Sequence, residues 1–446
     1  MKIDSYRVRK ANISSVPYFE QRMGTLIIWF AALILLEGVL RKWLLTPIEQ
    51  PLLFIREPIL LLIYYYYAKD FGIKKVWFLP YIVFSIFIVF LSLVQAIYWE
   101  YPPLVPLLGI RFYILYIPLA FIMGEVLNQH QLVRLIRFLL WTSIPIALLV
   151  ILQFLSPVES PINKGLTDST EGRFTVINDV VRPYGPFTFV APQSLWAALM
   201  LAIVVISWEK LKQYSIPIWL ISMATGATLV MGALSGARTY FVTAILIMLF
   251  YVIAGLTSPN IANGVKRLFY VVGFVASFLI VFIFAFPTAY ESMSQRQEQA
   301  VAIEGSTIGR AIGGLTDVTK PFNDVPMFGY GIGAGSNAGN AARGANGLSL
   351  GETEWARMVN EIGGVFGYPV VLLRTLFVIF LAWLAIKSNR KTGDGAGLIF
   401  FGFVSTVLLA GQITMQNQIL AIAWFSAGLL ITLLNSNQIN EHKKYD

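Results

Sequence analysis

Long uninterrupted apolar runs constrain this chain more than any other feature. Runs of about 17–25 residues recur along it, the length an α-helix needs to cross the hydrocarbon core of a bilayer. In lipid, every backbone N–H and C=O must be satisfied internally, which leaves helices or a closed barrel. The runs are continuous rather than alternating, so they predict helices. The charge content agrees. Only 13% of the 446 residues are charged, against roughly 25% in soluble domains. The expected fold class is an all-α integral membrane protein.

Reading the runs against polar breaks predicts about twelve spans. They fall at 24–45, 52–68, 76–98, 104–126, 133–155, 186–208, 215–234, 238–256, 267–286, 357–386, 396–412 and 417–434. The first follows a basic stretch with Arg7, Arg9, Lys10 and Arg22. It is too long for a signal-peptide core and lacks a small-residue cleavage site, so it reads as a retained span. With both termini in the cytoplasm, each inner connection carries at least two cations: Lys69, Lys74 and Lys75; Arg134 and Arg137; Lys210 and Lys212; Lys266 and Arg267; Lys387, Arg390 and Lys391; Lys443 and Lys444. That is the pattern of the positive-inside rule.

Two sizeable loops then lie outside, at 156–185 and 287–357. No repeat or low-complexity linker interrupts the pattern, so residues 1–446 read as one polytopic membrane domain. There is no cysteine, and the two histidines, His130 and His442, fall in segments placed inside. Neither a thiolate site nor an outer histidine metal site is expected. No cofactor and no nucleic-acid partner are expected either.

Several cations sit on the side that the topology rule disfavours. Arg41, Lys42 and Arg56 flank the first outer turn, within Glu37-Gly-Val-Leu-Arg-Lys-Trp43 and Phe54-Ile-Arg-Glu-Pro58, and Arg111 lies inside the fourth span. An arginine within a span costs about 2.5–3.5 kcal/mol on insertion scales, so it faces a cavity or a partner. Pairing with Glu37, Glu57 or Glu100 and interfacial snorkelling are the structural readings of the first group. Arg182, Arg238 and Arg310 each stand beside backbone shaped by glycine or proline. A converging arginine set at one membrane face fits a pyrophosphate or carboxylate ligand, because guanidinium binds such groups in bidentate fashion and stays charged.

The second outer loop contains Gly329-Tyr-Gly-Ile-Gly-Ala-Gly335, followed by Glu352, Glu354 and Glu361. Such glycines allow positive φ and close backbone approach, so their amides could line an anion, or the segment could be a flexible loop. No Gly-Lys-Ser/Thr follows, which excludes a Walker motif. On a helix, Glu354 and Glu361 share a face with Arg357 between them, which offers pairing as the structural reading. Glu352, at the junction of loop and span, is placed to serve as a general base. Tyr184, Tyr330 and Trp355 could stack on sugars or anchor the interface.

At these residues the chain resembles the Wzy/O-antigen ligase superfamily of bacterial envelope glycan assembly. The resemblance rests on Arg182-Pro-Tyr-Gly-Pro-Phe187 with Pro192, on Ser235-Gly-Ala-Arg238, and on the stretch from Gly329-Tyr-Gly-Ile-Gly333 to Glu361-Ile-Gly-Gly364. It implies a GT-C-like, metal-independent glycosyltransferase of the bacterial inner membrane. The donor would be a glycan on undecaprenyl pyrophosphate, with other polysaccharide-assembly proteins, such as a chain-length regulator, as partners. It implies Arg182, Arg238 and Arg310 as diphosphate-binding residues, Arg56 as a further candidate, and Glu352 or Glu354 as the base. The ligases place a histidine where this chain has Glu352, a departure that favours a polymerase of oligosaccharide repeats. The alternatives are a ligase that moves glycan to lipid A, protein or another acceptor, and a polysaccharide or lipid transporter.

Overall fold

The computed structural model of the chain describes residues 16–72, 77–166, 175–176, 180–258, 264–273, 325–343, 350–351 and 353–442, with three single positions at 284, 287 and 291. Among them, nine helices are long and apolar enough to cross a membrane. The protein is an all-α integral membrane protein.

The chain begins with α1 (Val16–Val39), which continues into a π-helical turn, Leu40–Leu44. Then come α2 (Glu57–Phe71), α3 (Phe78–Tyr98) and α4 (Leu104–Ile110). A second π-helical turn, Arg111–Leu115, joins α4 to α5 (Ile117–Val126). The next helix is α6 (Gln129–Leu155). Its first turn is closed by a capping box, in which Asn128 and Gln131 each accept the other's backbone N–H at 3.0 Å. That exchange satisfies two of the donors left free at a helix start.

The central helix is α7 (Val190–Glu209), whose small residues, including Ala197, Ala198 and Ala202, let neighbours approach from all sides. It packs against α9 (Ile218–Ser235), α10 (Arg238–Leu256) and α14 (Ala396–Ala410), with the short α8 (Leu211–Tyr214) between α7 and α9. Residues 264–273 are helical. The later part of the chain contains α11 (Asn337–Ala342), α12 (Glu354–Ile362), α13 (Gly364–Thr392) and α15 (Asn417–His442). The last of these packs extensively on α5. Thr432 Oγ1 donates to Met123 O at 3.0 Å, and Asn435 Nδ2 to Gly124 O at 2.8 Å, across that contact. A two-residue antiparallel pair, β1 (Thr175–Val176) and β2 (Val180–Val181), lies in the first large loop.

Eleven of the twelve expected spans correspond to a described helix, with three revisions. The second and the eleventh are only 15 residues long. The tenth does not begin at 357: α12 stops at Gly363, whose φ of +98° breaks the helix, and the span proper starts at Gly364. The ninth, 267–286, falls mostly outside the described residues.

Buried polar groups gather at the two ends of the bundle. At one end, Lys210 pairs with Asp394 and Arg267 with Glu209, while Asn389 Nδ2 donates to Ala254 O at 2.8 Å. The other end, where α1 finishes and α15 starts, holds Arg41, Arg56, Arg111, Arg182 and Arg238, the glycine-rich segment, and Glu354 and Glu361.

Candidate functional site

Two arginine-bearing segments remote in sequence meet at this end. α9 ends at Ser235, and Gly236 takes a left-handed φ of +56°. The chain therefore reverses within one turn, and Arg238 becomes the first residue of α10. Arg182 lies 53 residues before Ser235, and its Nε donates to Ser235 O at 3.3 Å. Tyr184, Val190 and Ala237 pack together beneath this contact. The Arg182–Phe187 segment thus lies on the turn that carries Arg238, and both arginines are half-buried rather than sealed.

Polar side chains from several helices hold that segment. Gly185 N donates to Gln153 Oε1 of α6 at 2.7 Å, and Tyr184 Oη donates to Asn163 O at 2.5 Å. Thr188 donates through N and Oγ1 to Gln418 Oε1, both at 3.0 Å. With proline at 183 and 186, the segment has few N–H groups and no regular partner strand, so side chains do the work of secondary structure.

The first group of misplaced cations is buried, and its arginines are paired with carboxylates. Glu37 of α1 accepts from Arg41 at 3.2 Å and faces Arg56 at 3.0 Å, and all three are buried. Arg111 pairs with Glu57 at 2.5 Å and donates to Leu53 O at 2.7 Å. Both π-helical turns carry these charges: Arg41 and Lys42 lie in one, and Arg111 opens the other. A wide turn re-aims a side chain that a regular helix would direct elsewhere. Arg56, a candidate ligand residue by sequence, is fully enclosed, with Glu37 as its counter-charge.

The glycine-rich segment differs from expectation. Its amides do not line an open cradle, because protein groups already accept from most of them. Tyr330 N donates to Asn360 O at 2.8 Å and Gly331 N to Glu361 O at 3.2 Å. Ile332 N donates to Gln95 Oε1 at 2.8 Å and Gly335 N to Glu361 Oε1 at 2.7 Å. The glycines serve close packing instead. At Gly333, with φ of +88°, a Cβ would come within 2.5 Å of Gly109 N and Val105 O of α4. Residues 325–343 form a strap laid over α3 and α4. Trp99 Nε1 and Tyr101 Oη secure it by donating to Gly329 O and Tyr330 O at 3.1 and 2.8 Å.

Glu354 and Glu361 occupy different environments. Glu354 is buried between Arg357 at 3.3 Å and Arg374 at 2.8 Å. It also accepts from Thr414 N at 3.0 Å and Thr414 Oγ1 at 3.2 Å. Its oxygens are fully engaged, so it anchors the start of α12, and a base role would require those contacts to open. Arg357 thus pairs with Glu354 and not with Glu361. Glu361 forms no ion pair among the described residues and accepts from Gly335 N and Tyr113 Oη, each at 2.7 Å. It lies on α12, outside the spans, where burial pushes its carboxyl up to about 7 despite the nearby hydrogen bonds and Arg357. Arg310 and Glu352 lie outside the described residues.

One element of the site went unread in the sequence. The stretch from the end of α14 into α15, Gly411-Gln-Ile-Thr-Met-Gln-Asn-Gln418, touches several parts of it. Thr414 binds Glu354, Met415 O accepts from Asn337 N at 3.3 Å, and Gln418 binds Thr188. Asn417 O accepts from Arg56 at 2.9 Å, and Asn417 Oδ1 accepts from Arg111. Three glutamines, a threonine and an asparagine between two apolar runs were the available signal.

No family model and no curated protein matches the chain. The chain is similar to one from a solved structure described as "Structural coordination of polymerization and crosslinking by a peptidoglycan synthase complex". The match covers 80% of this chain and 97% of that one, at 16% identity and a TM-score of 0.40.

Proposed function

We propose that this protein is a membrane glycosyltransferase that joins undecaprenyl-pyrophosphate-linked oligosaccharide repeats at the outer face of the bacterial inner membrane. The observation that carries this reading is the meeting of Arg182 with the Ser235–Arg238 turn. Two half-buried arginines beside the N-terminus of a 19-residue helix offer positive charge and the positive end of the helix dipole to a diphosphate. In the reaction, an acceptor sugar hydroxyl attacks the anomeric carbon of the donor. The bond from that carbon to the diphosphate oxygen breaks, and its electron pair leaves with the polyprenyl diphosphate.

Arg182 and Arg238, with Arg310 from the second outer loop of the sequence, stabilise the leaving charge as electrostatic partners. Glu352 takes the hydroxyl proton. Arg56 and Glu354 enter as braces, one holding the ends of α1 and α15 and the other holding α12 and the turn at Thr414. In this reading the donor lipid approaches from the bilayer, and other polysaccharide-assembly proteins supply repeats or set chain length.

The test is the set of lipid-linked glycans in cells carrying Arg182→Ala or Arg238→Ala. Each variant should remain in the membrane, lose long polymer and accumulate single repeats on the carrier. Finished polymer retained on the carrier would mark a ligase instead. Unchanged glycans in both variants would remove these arginines from the reaction.

A further inference from the structure

We infer that the Glu37–Trp43 segment, from the end of α1 into the π-helical turn after it, is a seat for the Arg182–Phe187 segment, and that Lys42 is a positioning residue for Arg182. Three successive carbonyls of that segment face α1. Lys42 Nζ donates to Gly185 O at 2.8 Å and to Phe187 O at 2.6 Å. Between them, Pro186 O lies against Gly38, where a Cβ would come within 2.1 Å of it. Glycine at 38 brings the carbonyls down onto the helix, and lysine at 42 supplies the donors that receive them.

The choice of lysine is informative. Its side chain is fully buried, yet no carboxylate pairs with it among the described residues. A buried ammonium ordinarily needs a counter-charge. Here two carbonyl dipoles take that place, together with the ring faces of Trp43 at 4.1 Å and Tyr184 at 4.4 Å. One ammonium reaches two carbonyls two residues apart because its three N–H bonds diverge from a single point. The neighbouring Glu37 is held by Arg41 and Arg56, so the seat is rigid. Gly185, at φ of +54°, turns the chain so that Arg182 reaches Ser235 O. Any shift of the seated carbonyls therefore moves Arg182 relative to Arg238.

This inference rests on the reading of Arg182 and Arg238 as a diphosphate-binding pair. Two measurements on the purified full chain separate the two. The chain has no cysteine, so Ala237→Cys, packed beneath Tyr184 and Val190, gives one thiol that reports the fit of the segment through its reaction with a hydrophilic maleimide. Titration calorimetry with inorganic pyrophosphate reports the anion site. Lys42→Met removes the donors, whereas Gly38→Ala keeps every charge and wedges a methyl group against Pro186 O.

Each variant is expected to raise labelling of the Ala237→Cys thiol and to weaken pyrophosphate binding, both at least tenfold. Lys42→Arg, which keeps the charge and the donors, is expected to restore most of the affinity. Gly38→Ala remains an independent test should Lys42→Met fail to fold. Unchanged labelling in the folded variants overturns the seat. Raised labelling with undiminished pyrophosphate affinity overturns the positioning role of Lys42. A wild-type chain that binds no pyrophosphate defeats the diphosphate reading instead, and labelling alone then decides whether the seat exists.

Discussion

Gly335 donates its amide to the carboxylate of Glu361 at 2.7 Å, 26 residues further along the chain. This bond ties the strap to α12, and Tyr113 donates to the other carboxylate oxygen from the π-helical turn after α4. The contact joins three elements through one buried acid that forms no ion pair among the described residues.

That arrangement sets a pH dependence. In the unfolded chain, the Glu361 carboxyl titrates near 4.5, and in the fold burial raises it to about 7. The native state therefore holds the proton more tightly. Stability from this group is complete below about 4.5 and declines as pH rises to about 7. The total change is roughly 3 kcal/mol. Thermal unfolding in detergent should show a midpoint that falls from pH 5 to pH 8 by more in the wild type than in Glu361→Gln. Equal slopes in the two proteins would contradict this account.

The strap tolerates little added volume. Gly333→Ala combines a positive φ with a Cβ 2.5 Å from backbone atoms of α4, so the expected loss is roughly 1–3 kcal/mol. Gly226→Ala serves as the control, since nothing lies within 4 Å of its Cβ position on α9. It should be neutral or slightly stabilising. Comparing the two melting midpoints tests the packing role directly.

Glu354 neutralises two guanidinium groups that no other carboxylate reaches among the described residues. Glu354→Gln leaves the buried Arg357 and the partly buried Arg374 without an ion-pair partner among the described residues, a loss of about 3–5 kcal/mol. The measurement is thermal stability in detergent, and a wild-type midpoint in this variant would show that the pair is dispensable.

Gln95 binds the strap from α3 with both ends of its amide. Nε2 donates to Phe328 O and to Glu361 O at 2.8 Å, and Oε1 accepts from Ile332 N at 2.8 Å. Gln95→Leu should cost roughly 1–3 kcal/mol for each buried group left unsatisfied. With Ala334→Cys as the only thiol, maleimide labelling should rise several-fold in the Gln95→Leu background. Labelling that stays at the wild-type rate would mean that Gln95 does not hold the strap.

The bundle could be read from the sequence because the bilayer imposes a local rule. Each span must satisfy its own backbone and present apolar side chains over about 20 residues, so α1, α3, α6, α7, α9, α10, α13 and α15 announce themselves one by one. The Arg182 and Ser235–Arg238 motifs were visible for a similar reason, since a charge beside glycine or proline at a span end stands out in one dimension. Approach between distant segments follows no such local pattern. Glycines 329–335 look alike whether they cradle a ligand or pack on α4, and only the position of Gly109 and Val105 against Gly333 decides for packing. Asn417 and Lys42 acquire their roles from groups about 300 and 140 residues away, and Gly363 splits an expected span because its backbone conformation ends α12. The sequence by itself determined which segments enter the membrane. Tertiary structure decided which polar groups satisfy one another there, because a buried donor takes whatever acceptor the packing brings to it.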